Sequence, residues 1–189
     1  IFGSITIYIV YLIGHKLHSK TLGFFCALLL AINPLHIYYS QEARMYALAT
    51  LAVSINILLL LKLIKGEKVN LLLLILSNIF VLISDYIAYF IFPAQAVFLF
   101  LFKRKLIKKW FLVLAAAVAV GFWWVPIFLD QLDVGVVAAS NLPTWKFVAG
   151  GFDFKTIPLT FVKFIVGRIS LADKALYAAV LFPACSLFA

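Results

Sequence analysis

The sequence predicts an all-α protein, a polytopic transmembrane helix bundle, and three observations carry that expectation. Of its 189 residues 66% are hydrophobic and only 12% are charged, far from the ~25% charged residues of an ordinary soluble domain. Apolar runs close to spanning length recur along the whole chain. The charges gather in the short segments between those runs.

A membrane-crossing helix needs about 20 mostly apolar residues. Roughly seven segments qualify on that criterion, the two terminal ones truncated: 1–14, 21–35, 42–62, 69–84, 87–102, 110–128 and 174–189. A start at Ile1 inside one apolar run and a stop within "LFPACSLFA" are expected of an internal piece of a longer chain. An N-terminal span with its first outer loop, and a C-terminal part, would then lie beyond it. Between the second and third segments, Asn33 suits a helix N-cap and Pro34 the first position of a new short turn. The chain is expected to turn again before Ser40, which would cap the third span. With no repeat, heptad array or low-complexity tract, residues 1–189 read as a single transmembrane domain.

Charge orients the bundle. Lys16 and Lys20, then Lys62, Lys65 and Lys68, then Lys103, Arg104, Lys105, Lys108 and Lys109 occupy alternate connections, accompanied by one acid, Glu67. Basic loops stay on the cytoplasmic side. The opposite connections carry Glu42, Asp85, Asp130, Asp133, Asp153 and Asp173, which places them outside, at a plasma membrane whose active face is extracytoplasmic. From about 130 to 173 the chain is expected to remain outside. Within that stretch Thr156, Thr160, Lys163 and Gly167 recur at helical spacing, with Pro158 near the start, which predicts a helix lying in the outer interface.

A net charge of +9 raises nucleic acid as a partner. Nucleic-acid binders present a basic face with exposed polar or aromatic surface, whereas these cations mark the ends of apolar helices, so no nucleic acid is expected. Cys26 and Cys185 lie in apolar runs without metal-ligand spacing and read as small hydrophobes rather than a disulfide framework.

Residues 36–48, "HIYYSQEARMYAL", stand apart from this background. On a helix beginning near Ser40, Gln41 and Arg44 are three apart and Glu42 and Tyr46 four apart, so each pair would share a face. Polar groups at membrane depth usually point into the bundle or a wet cavity. The plainer alternative is that Arg44 snorkels to headgroups while Glu42 complements the helix dipole. Asp85-Tyr86 forms the next outward turn, either as a cap or as a second carboxylate facing the same cavity. Asn56, Ser77 and Asn78, inside spans, read as interhelical hydrogen-bonders. His15 and His18 belong with the basic loop, and His36 with the outer face. Trp123 and Trp124 suit an aromatic belt, while Trp145, in mid-loop, reads equally as an anchor or a sugar-stacking platform.

The run "NPLHIYYSQEARMYAL" resembles the motif of polytopic GT-C glycosyltransferases of the protein mannosyltransferase and aminoarabinose-transferase superfamily (glycosyltransferase family 39-like). The "SDY" turn at Ser84 to Tyr86 and "KFIVGRIS" from Lys163 to Ser170 are compatible with it. The likeness is sharp over residues 33–48. It implies transfer of a sugar from a polyprenyl-phosphate donor to a protein, lipid or glycan acceptor outside the cytoplasm. It also implies that the principal catalytic acid lies in the first outer loop, before Ile1. Glu42 and Asp85 are then candidate catalytic carboxylates. Candidate substrate-binding residues are Gln41, Arg44, Tyr46, Tyr39, His36, Tyr86, Lys163 and Arg168. An acceptor hydroxyl needs a carboxylate to take its proton, and the leaving phosphate needs waiting positive charge, which the guanidinium of Arg44 suits. The resemblance names no certain cofactor and leaves a divalent metal open. A lipid-linked-sugar flippase or other transporter, a non-catalytic membrane subunit and an O-antigen-type polymerase remain as alternatives.

Overall fold

A computed structural model describes residues 1–42 and 45–141, and these are helical almost throughout, with no strand among them. In chain order the helices are α1 (Phe2–Leu17), α2 (Lys20–Ala31), α3 (Pro34–Gln41), α4 (Tyr46–Ile64), α5 (Leu71–Ser84), a 3-10 turn (Tyr86–Phe90), α6 (Ile91–Phe102), α7 (Arg104–Gly121), a short 3-10 turn (Phe122–Trp124) and α8 (Val125–Asn141). The chain divides into two compact units, Ile1–Gly121 and Phe122–Ala189.

Local chemistry fixes the helix starts of the first unit. Ser19 accepts the Leu22 N–H at 3.1 Å, Asn33 the His36 N–H at 2.9 Å and Asn70 the Leu72 N–H at 2.9 Å, each oxygen satisfying a donor that the helix leaves open. α4 closes at Lys65, followed by Gly66 with φ 77°, a left-handed position that costs glycine nothing.

Packing then orders the helices. α1 lies against α2 and α4, α4 against α5, and α5 and α6 against α7. Two glycines let the α1–α2 hairpin close: a Cβ at Gly14 would come within 2.8 Å of Gly23 Cα, and one at Gly23 within 2.5 Å of the Tyr11 carbonyl oxygen. Small residues at such crossings are how membrane helices bring their backbones together. The apolar core runs through Ala52, Leu60 and Leu63 of α4, Leu74 and Val81 of α5, Phe92 and Leu99 of α6, and Trp110 and Val113 of α7.

Two helical stretches are long and apolar enough to cross a membrane, Tyr46–Ile64 and Arg104–Val137, and a third is the broken pair Lys20–Ala31 and Pro34–Gln41, bent by 61°. This makes the chain a membrane protein, with fewer full-length spans than the seven expected. Length is the reason. α1, α5 and α6 have 16, 14 and 12 residues and rise about 24, 21 and 18 Å, short of a hydrocarbon layer of ~30 Å. The segment 174–189, the interfacial helix expected near Thr156, and Trp145 lie outside the described residues.

Three boundaries also differ from expectation. α3 continues through Ser40 to Gln41, so Ser40 is interior to a helix and α4 starts at Tyr46 after Met45 without a side-chain cap. α7 begins at Arg104 instead of residue 110, because its cations reach solvent while Trp110 and Val113 are buried. Residues 125–141, expected to enter a loop after 128, form α8 in the second unit; Pro126 falls in its first turn, where a missing N–H breaks no helical bond.

Candidate functional site

The end of the bundle that holds α3 is assembled by one break in the chain. Asn33 and Pro34 start α3, and its imidazole at His36 sits with Nε2 3.3 Å from the Gly3 carbonyl oxygen, tying α3 to the start of α1. Gly3 is required there, since a Cβ would overlap the Ser40 side chain. After Gln41 the backbone leaves the helix: Glu42 is extended, φ −72° and ψ 131°, while its N–H still donates to the Tyr38 carbonyl at 3.1 Å.

That break corrects the expected face-sharing of Glu42 with Tyr46, while the expected pairing of Gln41 with Arg44 involves a residue outside those described. Glu42 lies past the end of α3 and Tyr46 begins α4, so these two do not share a helix. Aromatic packing bridges the gap instead. Tyr39 meets Tyr38 edge-on with centroids 5.2 Å apart and meets Tyr46 at 4.9 Å, T-shaped contacts that ring quadrupoles favour. Tyr39, Glu42 and Tyr46 are half-buried and Gln41 is exposed. Arg44, Lys163 and Arg168 lie outside the described residues.

Asp85 and Tyr86 stand at the same end. α4 and α5 run antiparallel with Asn56 opposite Ser77 and Asn78, a register that brings Tyr46 level with the end of α5, and the Tyr86–Phe90 turn contacts α4. Asp85 Oδ1 accepts the Ile87 N–H at 3.0 Å, so this carboxylate caps the turn, as one of its two expected roles required. Tyr86 is exposed, with its ring 5.8 Å from that of Tyr89. Among the described residues no three His, Cys, Asp or Glu side chains gather as a metal would need.

At the opposite end the basic connections meet. Lys16 pairs with Glu67 and Lys65 donates to the Lys16 carbonyl oxygen, clamping the α1–α2 connection to the α4–α5 connection. The Lys16 ammonium holds the Glu67 carboxyl below its ordinary value by hydrogen bonding, and Lys62 and Lys65 add to this through their charge. Charge alternation in the sequence therefore has a counterpart in the first unit: the clamp joins two of the basic connections, and the α3 break and the Asp85 turn lie at the other end.

No protein-family model, curated protein or solved structure matches this chain. What the chain can do must be read from its own geometry.

Between the two ends lies a polar network of which the sequence revealed only part. Asn56 of α4 donates through Nδ2 to Ser77 Oγ at 3.0 Å and to Asn78 Oδ1 at 2.7 Å, both on α5. Gln95 Nε2 of α6 donates to Asn56 Oδ1 at 2.7 Å, and Trp110 Nε1 of α7 donates to Gln95 Oε1 at 3.0 Å. All five side chains are buried. The expected interhelical role of Asn56, Ser77 and Asn78 is thus what the structure shows. Gln95 and Trp110 escaped notice, although a lone amide within "IFPAQAVFLFLF" was the available signal, since an amide at membrane depth requires a partner.

Proposed function

We propose that this chain is part of a membrane glycosyltransferase of the GT-C kind, acting outside the cytoplasm on a polyprenyl-phosphate-linked sugar. One observation carries the reading. Residues 33–42 and 45–48 form a capped helix, a break at Glu42 and a packed tyrosine group, level with the Asp85-Tyr86 turn. The acceptor hydroxyl attacks the anomeric carbon as the bond from that carbon to the phosphate oxygen breaks. The hydroxyl proton passes to a carboxylate, with Glu42 or Asp85 as the candidates in this chain, and polyprenyl phosphate leaves toward Arg44. Tyr39, Tyr46 and Tyr86 offer ring faces and hydroxyls to a sugar, and His36 and Gln41 offer further hydrogen bonds. Lys163 and Arg168 would add positive charge for the phosphate.

The orientation belongs to the same proposal. Basic connections face the cytoplasm, and α1, α5 and α6 act as short crossings that the bilayer meets by thinning. A transporter reading would call for polar groups near the midplane that are open to cargo; the amides there are engaged in helix–helix hydrogen bonds, which favours chemistry at the end of the bundle.

The test is a transfer assay on the full-length protein, with labelled polyprenyl-phosphate sugars and membranes as the acceptor source. Losing a positioned acid–base group costs about 10²–10⁴ in rate and losing one electrostatic donor about 10²–10³, so Glu42→Gln and Arg44→Ala are each expected to lower transfer by at least ~10². Wild-type rates from both variants would remove these residues from the site.

A further inference from the structure

The first two turns of α7 carry Arg104, Lys105, Lys108 and Lys109, and nothing in the proposed transfer uses them. Arg104 is accounted for within the fold: its Nε donates to the Phe100 carbonyl at 2.9 Å and its guanidinium lies 4.7 Å from the Phe100 ring centroid, at the C-terminal end of α6. The three lysines are different. Lys105 is three residues from Lys108 and four from Lys109, so it neighbours both on one side of the helix, and all three are exposed. Like charges at these spacings repel, and they do so where the helix dipole is also positive. No acidic residue occurs between Asp85 and Asp130, and Glu67 is paired with Lys16.

What surrounds the lysines selects their partner. Leu101 and Phe102 just before the cluster, and Phe111 and Leu112 just after it, are exposed, while Trp110 is buried against the core. The surface is thus cationic, bordered within a helical turn by uncovered apolar side chains. A soluble anion or a nucleic acid would answer the charge and leave the apolar border in water. An amphiphile with an anionic head answers both. We propose that Lys105, Lys108 and Lys109 form a binding surface for anionic phospholipid headgroups, with Leu101, Phe102, Phe111 and Leu112 against the acyl chains.

The proposal is independent of sugar transfer. Each lysine near an anionic bilayer surface contributes about 1 kcal/mol, a factor of about five. A headgroup held by one or two of them is therefore expected to be preferred over a zwitterionic one by about five- to twenty-five-fold.

The experiment reconstitutes the full chain in phosphatidylcholine vesicles with a minor fraction of brominated phosphatidylglycerol. Quenching of Trp110, with Trp123, Trp124 and Trp145 replaced by phenylalanine in every variant, gives the relative association of the two lipids near the start of α7. K105Q/K108Q/K109Q is expected to bring the preference close to unity, whereas K16Q, outside the cluster, is expected to leave it unchanged. A triple variant that keeps the preference, or a wild-type protein without one, overturns the proposal. If the triple variant does not fold, the wild type alone decides. Raising NaCl from about 0.05 M to about 0.5 M, which shortens the screening length to a few ångströms, is expected to remove most of the preference, and a preference insensitive to salt overturns the assignment. Binding of an oligonucleotide to the detergent-solubilised protein that phosphatidylglycerol does not displace would also overturn it, in favour of a nucleic acid.

Discussion

Replacing Asn56 by leucine tests what holds α4, α5 and α6 in register. Asn56 is 1% exposed and makes three hydrogen bonds, to Ser77, Asn78 and Gln95, at 3.0, 2.7 and 2.7 Å. Leucine keeps the same branched skeleton, so the loss is that of the hydrogen bonds, with any crowding by its larger methyl groups added to it. Ser77 loses little, because its own hydroxyl still donates to the Leu74 carbonyl at 2.8 Å. Asn78 Oδ1 and Gln95 Nε2 each lose this partner in a region that water does not reach. Orphaned groups in soluble cores cost about 1–3 kcal/mol each, but interhelical bonds in membranes average ~0.6 and reach ~1.7 kcal/mol, since the membrane-embedded unfolded state finds other partners. The membrane figure applies here and gives a loss of about 1–3 kcal/mol for two groups. Equilibrium unfolding in mixed micelles, followed by the fluorescence of buried Trp110, would measure it. Ser54→Ala serves as the control, because Ser54 Oγ donates to the Thr50 carbonyl within α4 and its loss is expected to stay within ~0.5 kcal/mol. A double-mutant cycle with Asn78→Leu should show coupling of at least ~0.5 kcal/mol. Strict additivity, or an Asn56→Leu protein as stable as wild type, would refute the account of the network.

Other outcomes follow from single contacts. Gly23→Ala drives a methyl against the Tyr11 carbonyl oxygen and should destabilise the α1–α2 hairpin by about 1–3 kcal/mol, read as a lowered midpoint in the same micelle titration. Asn33→Ala removes the α3 cap at about 1 kcal/mol, and hydrogen exchange at the His36 amide should accelerate while exchange in α4 stays unchanged. Glu67 should titrate below its ordinary 4.5, because the Lys16 hydrogen bond lowers it. Its contribution to stability is then present above the unfolded value and lost as pH falls through the folded one. Carbon-13 NMR of Glu67 should show that low midpoint, and K16Q should return it toward 4.5; an unchanged midpoint in K16Q would dismiss the pairing.

Several features of this protein were legible one residue at a time. Apolar composition dictates helices, because a membrane leaves backbone groups no partner outside the helix. Asn33-Pro34 announces a helix start, and alternating lysines sort the connections, because capping and charge act over a few residues wherever the chain goes. The sequence also marked Asn56, Ser77 and Asn78 as polar groups in need of partners. Where the α3 helix would stop was not legible: carrying it through Ser40 and Gln41 and breaking it at Glu42 depends on how Tyr39 packs against Tyr46 and how His36 reaches Gly3 on another helix. Nor could any local pattern say that Gln95 and Trp110 complete the Asn56 network. Hydrogen bonds between residues 39 and 15 positions apart exist only once four helices share one register, and that register is set by packing of the whole bundle rather than by any segment within it.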